Sequence, residues 1–328
     1  MLGLFVVPTT VAPCAGPPGL AACGVSNLWE VAHAALMQEN QRLVAANSTE
    51  PGTYLDFGNF LMAFKLAKEM LARRHAVLPA DKKDTRPASL DLGCGGGFLV
   101  YVLRALGSDS RGVNPFDKTS RVAQLLPPTW RALGLTSSDP PAVRCTPVQT
   151  GLPLAPWRAD GGGAGAVRGG KRACGAGGGG GGGKLRFDVV TALKMQFHTK
   201  LRDPTGKQRG LVRWSAREWD YFLQDLARHH LRREAVMLLE FINGFGAGYG
   251  NTPDVMELFT SLGARSKNRH TVIFDTPGWV EKARARPPVS GIENATQASS
   301  MFAPRCPWEQ QHTNKPHGQQ HGNGKRAR

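Results

Sequence analysis

Two rhythms of apolar residues divide this chain. In NLWEVAHAALMQENQRLVAA, residues 27–46, Leu28, Val31, Ala35 and Leu36 share one face at helical spacing. From about Phe57 to Arg74, the residues Phe60, Phe64, Ala67 and Leu71 repeat that spacing and predict a second helix. Short unbroken apolar runs then take over. ASLDL (88–92) stops at Asp91 and is followed at once by Gly93, Gly95, Gly96 and Gly97, after which helical spacing resumes and ends near Gly107. SRGVNPF (110–116) is a short strand candidate, and AVRCTPVQ holds another. VAQLLPPTWRALGL predicts a broken helix, because Pro127 and Pro128 remove two backbone donors.

The same alternation returns further on. Phe187 to Leu193 is a strongly apolar strand. Ser215 with Glu218 three residues later is a capping-box signature, and Trp219, Phe222 and Leu226 follow on one helix face. AVMLLEFI is a continuous apolar run of the kind covered on both faces of a parallel sheet. NTPDVMELFTSLGA has Thr252 as cap, Pro253 in the first turn, Val255, Phe259 and Leu262 on the buried face, and Gly263 as stop. HTVIFD is the last strand. Strand and helix in alternation predict an α/β protein with a mainly parallel twisted sheet, helices on both faces and right-handed crossovers.

Composition limits how much of the chain takes part. Gly and Pro number 40 and 23, and many lie in a few segments; the glycine-rich one at 158–184 has almost no apolar side chain to bury and cannot offset its ordering entropy. This predicts a disordered leader at 1–25 and a domain at 26–280, with helical segments at 27–74 as an N-terminal cover. Within that domain 158–184 is a disordered glycine-rich insert, and a disordered basic tail follows at 281–328. The net charge of +16 invites a nucleic-acid reading, yet much of it falls in the insert and the tail, where solvated linkers explain it. Six cysteines at 14, 23, 94, 145, 174 and 306 form no CxxC pair and no zinc spacing, so no metal site is expected. A reduced, cytoplasmic setting follows, without a membrane span. The N-terminus lacks a basic n-region, and an organellar address stays open.

The chemistry gathers at the glycine turn. A strand that runs straight into a helix at the carboxyl edge of such a sheet opens a ligand crevice. Glycines let the main chain approach that ligand closely, and the helix N-terminus presents free N–H groups. The spacing is neither a full G-x-G-x-x-G, since Phe98 stands where the last glycine should be, nor a P-loop, since no GK[ST] follows.

Asp91 followed by L-G-C-G-G-G resembles motif I of the class I S-adenosylmethionine-dependent methyltransferases. The segment 90–135 and FDVVTAL with the helix after it resemble bacterial members of undefined substrate, over roughly residues 53–276. The resemblance implies a Rossmann-like fold and S-adenosylmethionine as cofactor. It implies that Gly93, Cys94, Gly95 and Gly97 pass under the cofactor and that Asp91 supports its amino group. It places Asn114 at the ribose edge and Thr191, Ala192 and Leu193 beside the methionine end. Asn114 departs from the family, which carries Asp or Glu there; an amide oxygen still accepts, without charge, and Asp117 is the substitute candidate.

The acceptor is expected to be a small molecule, with Tyr54, Phe57 and Asn59 as candidates to border its pocket. The [ND]PP[YF] pattern of many amino-group methyltransferases is absent. His198, with Lys194 beside it, is the candidate general base past the strand end; an ordinary loop histidine is the competing reading. A second function class stays open. DLGCGGGFLVYVLRALGSDSRG is similar to a stretch of the tRNA uridine 2′-O-methyltransferases, and Lys200, Arg202, Lys207, Arg209 and Arg213 form a basic run suited to phosphates. A third reading is a module that kept the crevice but not turnover, for which Asn114 is the argument. Oligomeric state is not legible.

Overall fold

A computed structural model describes residues 24–45, 57–114, 121–137, 142–145, 186–195, 197–202, 208–241, 252–268 and 270–289. Residues 1–23, Tyr54, Asp117, the insert 158–184 and the chain beyond 289 lie outside them.

Two long helices open the fold, α1 (Val25–Ala45) and α2 (Phe57–Val77), close to the ranges their periodicity predicts. Then come β1 (Ala88–Leu92), α3 (Phe98–Ala105), β2 (Asp109–Asn114), α4 (Arg121–Ala132), β3 (Val143–Cys145) and β4 (Phe187–Met195). A hairpin of β5 (His198–Arg202) and β6 (Gln208–Arg213) follows, and α5 (Ala216–Asp225) runs on into a π turn, Leu226–His230. The remainder is β7 (Leu231–Phe241), α6 (Pro253–Ser261), β8 (Arg265–Asn268), β9 (Thr271–Phe274) and α7 (Trp279–Ala285).

Seven strands form one sheet in the order β3-β2-β1-β4-β7-β9-β8. The pairs from β3 to β7 are parallel; β9 runs antiparallel to β7 and pairs antiparallel with β8. The chain builds outward from β1 in one direction and from β4 in the other. The sheet's switch point therefore lies between β1 and β4 at their carboxyl ends.

Strand alternation divides the apolar runs between two faces. On β7, Ala235, Met237 and Leu239 join the core under α5, α6 and α7, while Val236 and Leu238 turn to the opposite face with Met70 of α2. This is why AVMLLEF shows no polar alternation. α1 and α2 share their core with α3 and α4, so they form part of the second helical layer. Ser215 and Glu218 make the expected capping box: Arg217 N–H donates to Ser215 Oγ, and Ser215 N–H donates to Glu218 at 2.8 Å.

The structure adds to the sequence reading at four places. α4 is one helix through Pro127 and Pro128; buried Leu126 and Trp130 anchor it despite the missing donors. Helix α7 crosses the boundary drawn at 280–281, because Trp279, Val280 and Ala283 are buried and the Trp279 indole donates to Ala235 O at 2.5 Å. β8, RSKN, is exposed throughout and has no apolar rhythm to reveal it; its charged side chains suit a sheet edge. Of the basic run, Lys200, Arg202, Arg209 and Arg213 lie on an antiparallel ribbon, and Lys207 lies outside the described residues. Among the described residues no helix is long and apolar enough to cross a membrane.

Candidate active site

The glycine turn sits at the carboxyl end of β1, beside the switch point. Gly93, Gly95 and Gly97 all have positive φ, at 75°, 48° and 81°. Without a Cβ this conformation carries no steric penalty. The N–H groups of Gly93 and Cys94 both donate to Val113 O, at 2.7 and 3.0 Å, and Gly97 N–H donates to Cys94 O. Gly95 N–H donates to Asn114 Oδ1 at 3.2 Å. The turn is thus tied to the end of β2 by three bonds before any ligand arrives.

The glycines serve different ends. Among the described residues, a Cβ at Gly95 would meet nothing nearer than Gly93 O at 4.0 Å, so that side of the turn is open to them. A Cβ at Gly97 would lie 2.6 Å from Leu135 Cδ1 and 3.1 Å from Trp130. The missing side chain of Gly97 therefore admits the α4 layer. Gly112 on β2 has the same kind of role: a Cβ there would lie 2.8 Å from Cys94 Sγ. A glycine inside a strand signals such a close approach, and Gly112 was legible on that ground.

Cys94 is buried, and its thiol is pushed well above its usual range, first by burial and then by the nearby Asp91 carboxylate. It contributes main chain to the turn and a packed side chain beneath it.

Asp91 is fully buried below the turn. Thr191 Oγ1 donates to its Oδ1 at 2.8 Å across the β1–β4 pair, where the two residues are in register. Burial pushes the carboxyl up to about 7, against the lowering effect of the Thr191 hydroxyl. Thr191 therefore serves Asp91, and Ala192 lies in the core. β4 continues past them to Met195.

Asn114 ends β2, partly buried, with its carboxamide oxygen engaged by the turn. His198 opens β5 in register with Arg213, on the ribbon that leaves the carboxyl end of β4. Phe57 and Asn59 are exposed at the start of α2; Phe60 in the next turn stacks edge-on against Phe98, the first residue of α3, at 5.6 Å.

Trp130 is the part of the site without a sequence signal. It is buried on α4, and its indole N–H donates to Gly95 O at 2.7 Å. Gly95 is thus held from both sides, its N–H by Asn114 and its carbonyl by Trp130. Among the described residues no cluster of His, Cys, Asp or Glu is arranged to hold a metal ion.

No family model matches the sequence, and a search of curated proteins finds no match. Solved structures do match in shape. An amino pentose methyltransferase from Micromonospora echinaspora, with SAM bound, is 14% identical over 64% of this chain and 90% of its own, at a TM-score of 0.35. The O-methyltransferase TomG from Streptomyces achromogenes is 14% identical over 73% and 87%, at 0.34. Magnesium protoporphyrin IX methyltransferase from Synechocystis PCC 6803, with bound SAH, is 13% identical over 72% and 91%, at 0.35. Likeness at this level carries nothing about activity. The chain has an α/β fold whose sheet is mainly parallel and closed at one edge by an antiparallel pair.

Proposed function

We propose that the protein is an S-adenosylmethionine-dependent methyltransferase acting on a small-molecule acceptor. One observation carries the reading: at the switch point of the sheet, the turn is held rigid by Asn114 and Trp130 while the Cβ direction of Gly95 opens on free space. That space is a cradle a side chain would fill, and the residues around it fit the cofactor. Asp91 would accept from its amino group, and the Gly93–Gly95 backbone would run beneath it. Asn114 would lie toward the ribose, with an uncharged acceptor in place of a carboxylate.

Bound S-adenosylmethionine supplies a methyl group already activated on a sulfonium. The chain's own task is then alignment and exclusion of water, which contribute much of the rate in such transfers. A cation near Asp91 would favour its ionised form and lower its raised pKa.

A second reading, an RNA acceptor, draws on Lys200, Arg202, Arg209 and Arg213 of the β5–β6 ribbon after β4. Asn114 remains the argument for a module that binds without turnover. Calorimetry with S-adenosylmethionine, then labelled-methyl transfer to metabolite, RNA and protein pools, tests all three. Gly95→Val should stay folded and lose binding, with Gly95→Ala as the milder control. Micromolar binding retained by a folded Gly95→Val protein would overturn the assignment.

A further inference from the structure

The amino edge of the sheet, opposite the glycine turn, holds a cavity of about 410 Å³. It lies where β4 and β7 begin, at Asp188 and Leu231. Its lining includes Lys82, Arg186, Arg232, Arg233 and Arg284 against only two carboxylates, Asp188 and Glu234. Counting Arg74 behind it and Glu281 at its rim leaves the same excess of three positive charges.

The carboxylates are already spoken for. Asp188 is buried, accepts from Ala88 N–H at 2.7 Å and from Arg232 at 3.0 Å, and has Arg74 at 3.7 Å. Glu234 takes Lys82 at 3.2 Å. Arg186 and Arg284 both donate to Leu231 O, at 3.1 and 2.9 Å; Glu281 pairs with Arg284 at 2.7 Å and lies 3.8 Å from Arg233, while the carbonyl leaves the Arg186 charge unneutralised. Arg74 is itself buried, and its Nε has no hydrogen-bond partner among the described residues. Like charges gathered on one half-enclosed wall repel, and a bound anion relieves that repulsion. Guanidinium forks match phosphate oxygens in geometry as well as charge.

We propose that this cavity is a binding site for a small phosphorylated ligand, separate from the cofactor crevice. Several charges in a pocket of this volume suit a polyvalent anion better than a single carboxylate. β1 alone separates the two edges by roughly 16 Å, so both sites can be filled together.

Calorimetry of the full chain with inorganic pyrophosphate and with ribose 5-phosphate, at matched ionic strength, tests this. Saturable binding of either supports the proposal, and the tighter of the two tells an isolated phosphate chain from a sugar phosphate. Arg233→Glu and Lys82→Glu alter exposed head groups and should each weaken binding about tenfold, an effect of the size one removed charge contact has. Arg233→Lys should keep most of the affinity, and Arg42→Glu, on α1, should change nothing. Melting temperatures check that each variant is folded. No saturable binding, binding indifferent to the two reversals, or binding only of a long oligoribonucleotide would overturn it.

Discussion

Asp91→Asn separates the stability of this fold from its chemistry. Asp91 ordinarily would titrate at 3.8 but is pushed to about 7 by burial. Its neutral form is the one the fold prefers. The stabilisation this preference brings is complete below about pH 4, declines as pH rises, and is gone above the folded value near 7. A gap of that size makes ionisation cost about 4 kcal/mol at pH 8, at 1.36 kcal/mol per pH unit. Asn stays neutral, and its carboxamide oxygen can still accept from Thr191. An amide N–H left unpaired in the core would return about 1–3 kcal/mol of that gain. The variant should therefore be more stable than the parent at pH 8 by about 1–3 kcal/mol, and less stable than it near pH 4 by the same amide cost of about 1–3 kcal/mol. Paired urea titrations at both pH values measure this. The same substitution removes a charged acceptor, so S-adenosylmethionine affinity should fall by about 1–2 kcal/mol, or roughly 5- to 30-fold. A variant that gains stability and loses cofactor is the expected signature. Equal destabilisation at both pH values would refute the buried-acid reasoning, and unchanged affinity would remove Asp91 from the cofactor site.

Trp130→Phe keeps a buried ring but deletes the donor to Gly95 O; it should cost about 0.5–1.5 kcal/mol in urea titrations and weaken cofactor binding by calorimetry. Gly97→Ala places a methyl against Leu135 in a left-handed conformation and should lower stability by about 2–4 kcal/mol, whereas Gly95→Ala should lower it by about 1–2 kcal/mol while losing more cofactor affinity. The opposite ranking in thermal melts would reverse the two glycines' roles. Asn114→Asp keeps an acceptor for Gly95 N–H and adds charge at the ribose edge, so affinity should rise about fivefold; Asn114→Ala should lose both the turn's tether and affinity. Asp225 near the π turn is also pushed up to about 7 by burial, against the lowering effect of Arg228, so Asp225→Asn should stabilise at pH 8 but less than Asp91→Asn, because Asp225 is less deeply buried.

What the sequence determined by itself is local. Helix α1 declares itself by the spacing of its apolar residues, α5 by Ser215 and Glu218, and the β1–turn–α3 unit by an apolar run that ends in glycines. Each depends on residues a few positions apart, and short-range sterics and hydrogen bonding decide them. The alternation of strands and helices carried the α/β class for the same reason. What sits far apart in the chain was decided only by the tertiary structure. Trp130 reaches Gly95 across 35 positions, and Thr191 reaches Asp91 across 100. Neither residue type announces such a partner. α7 is short and basic, and burial of Trp279 against β7 holds it in place. β8 has no apolar face at all and exists because β9 offers it an edge. The division of labour between Gly95 and Gly97 is the sharpest case. Both are glycines of one motif with positive φ, and only the placement of α4 makes one a packing contact and leaves the other open.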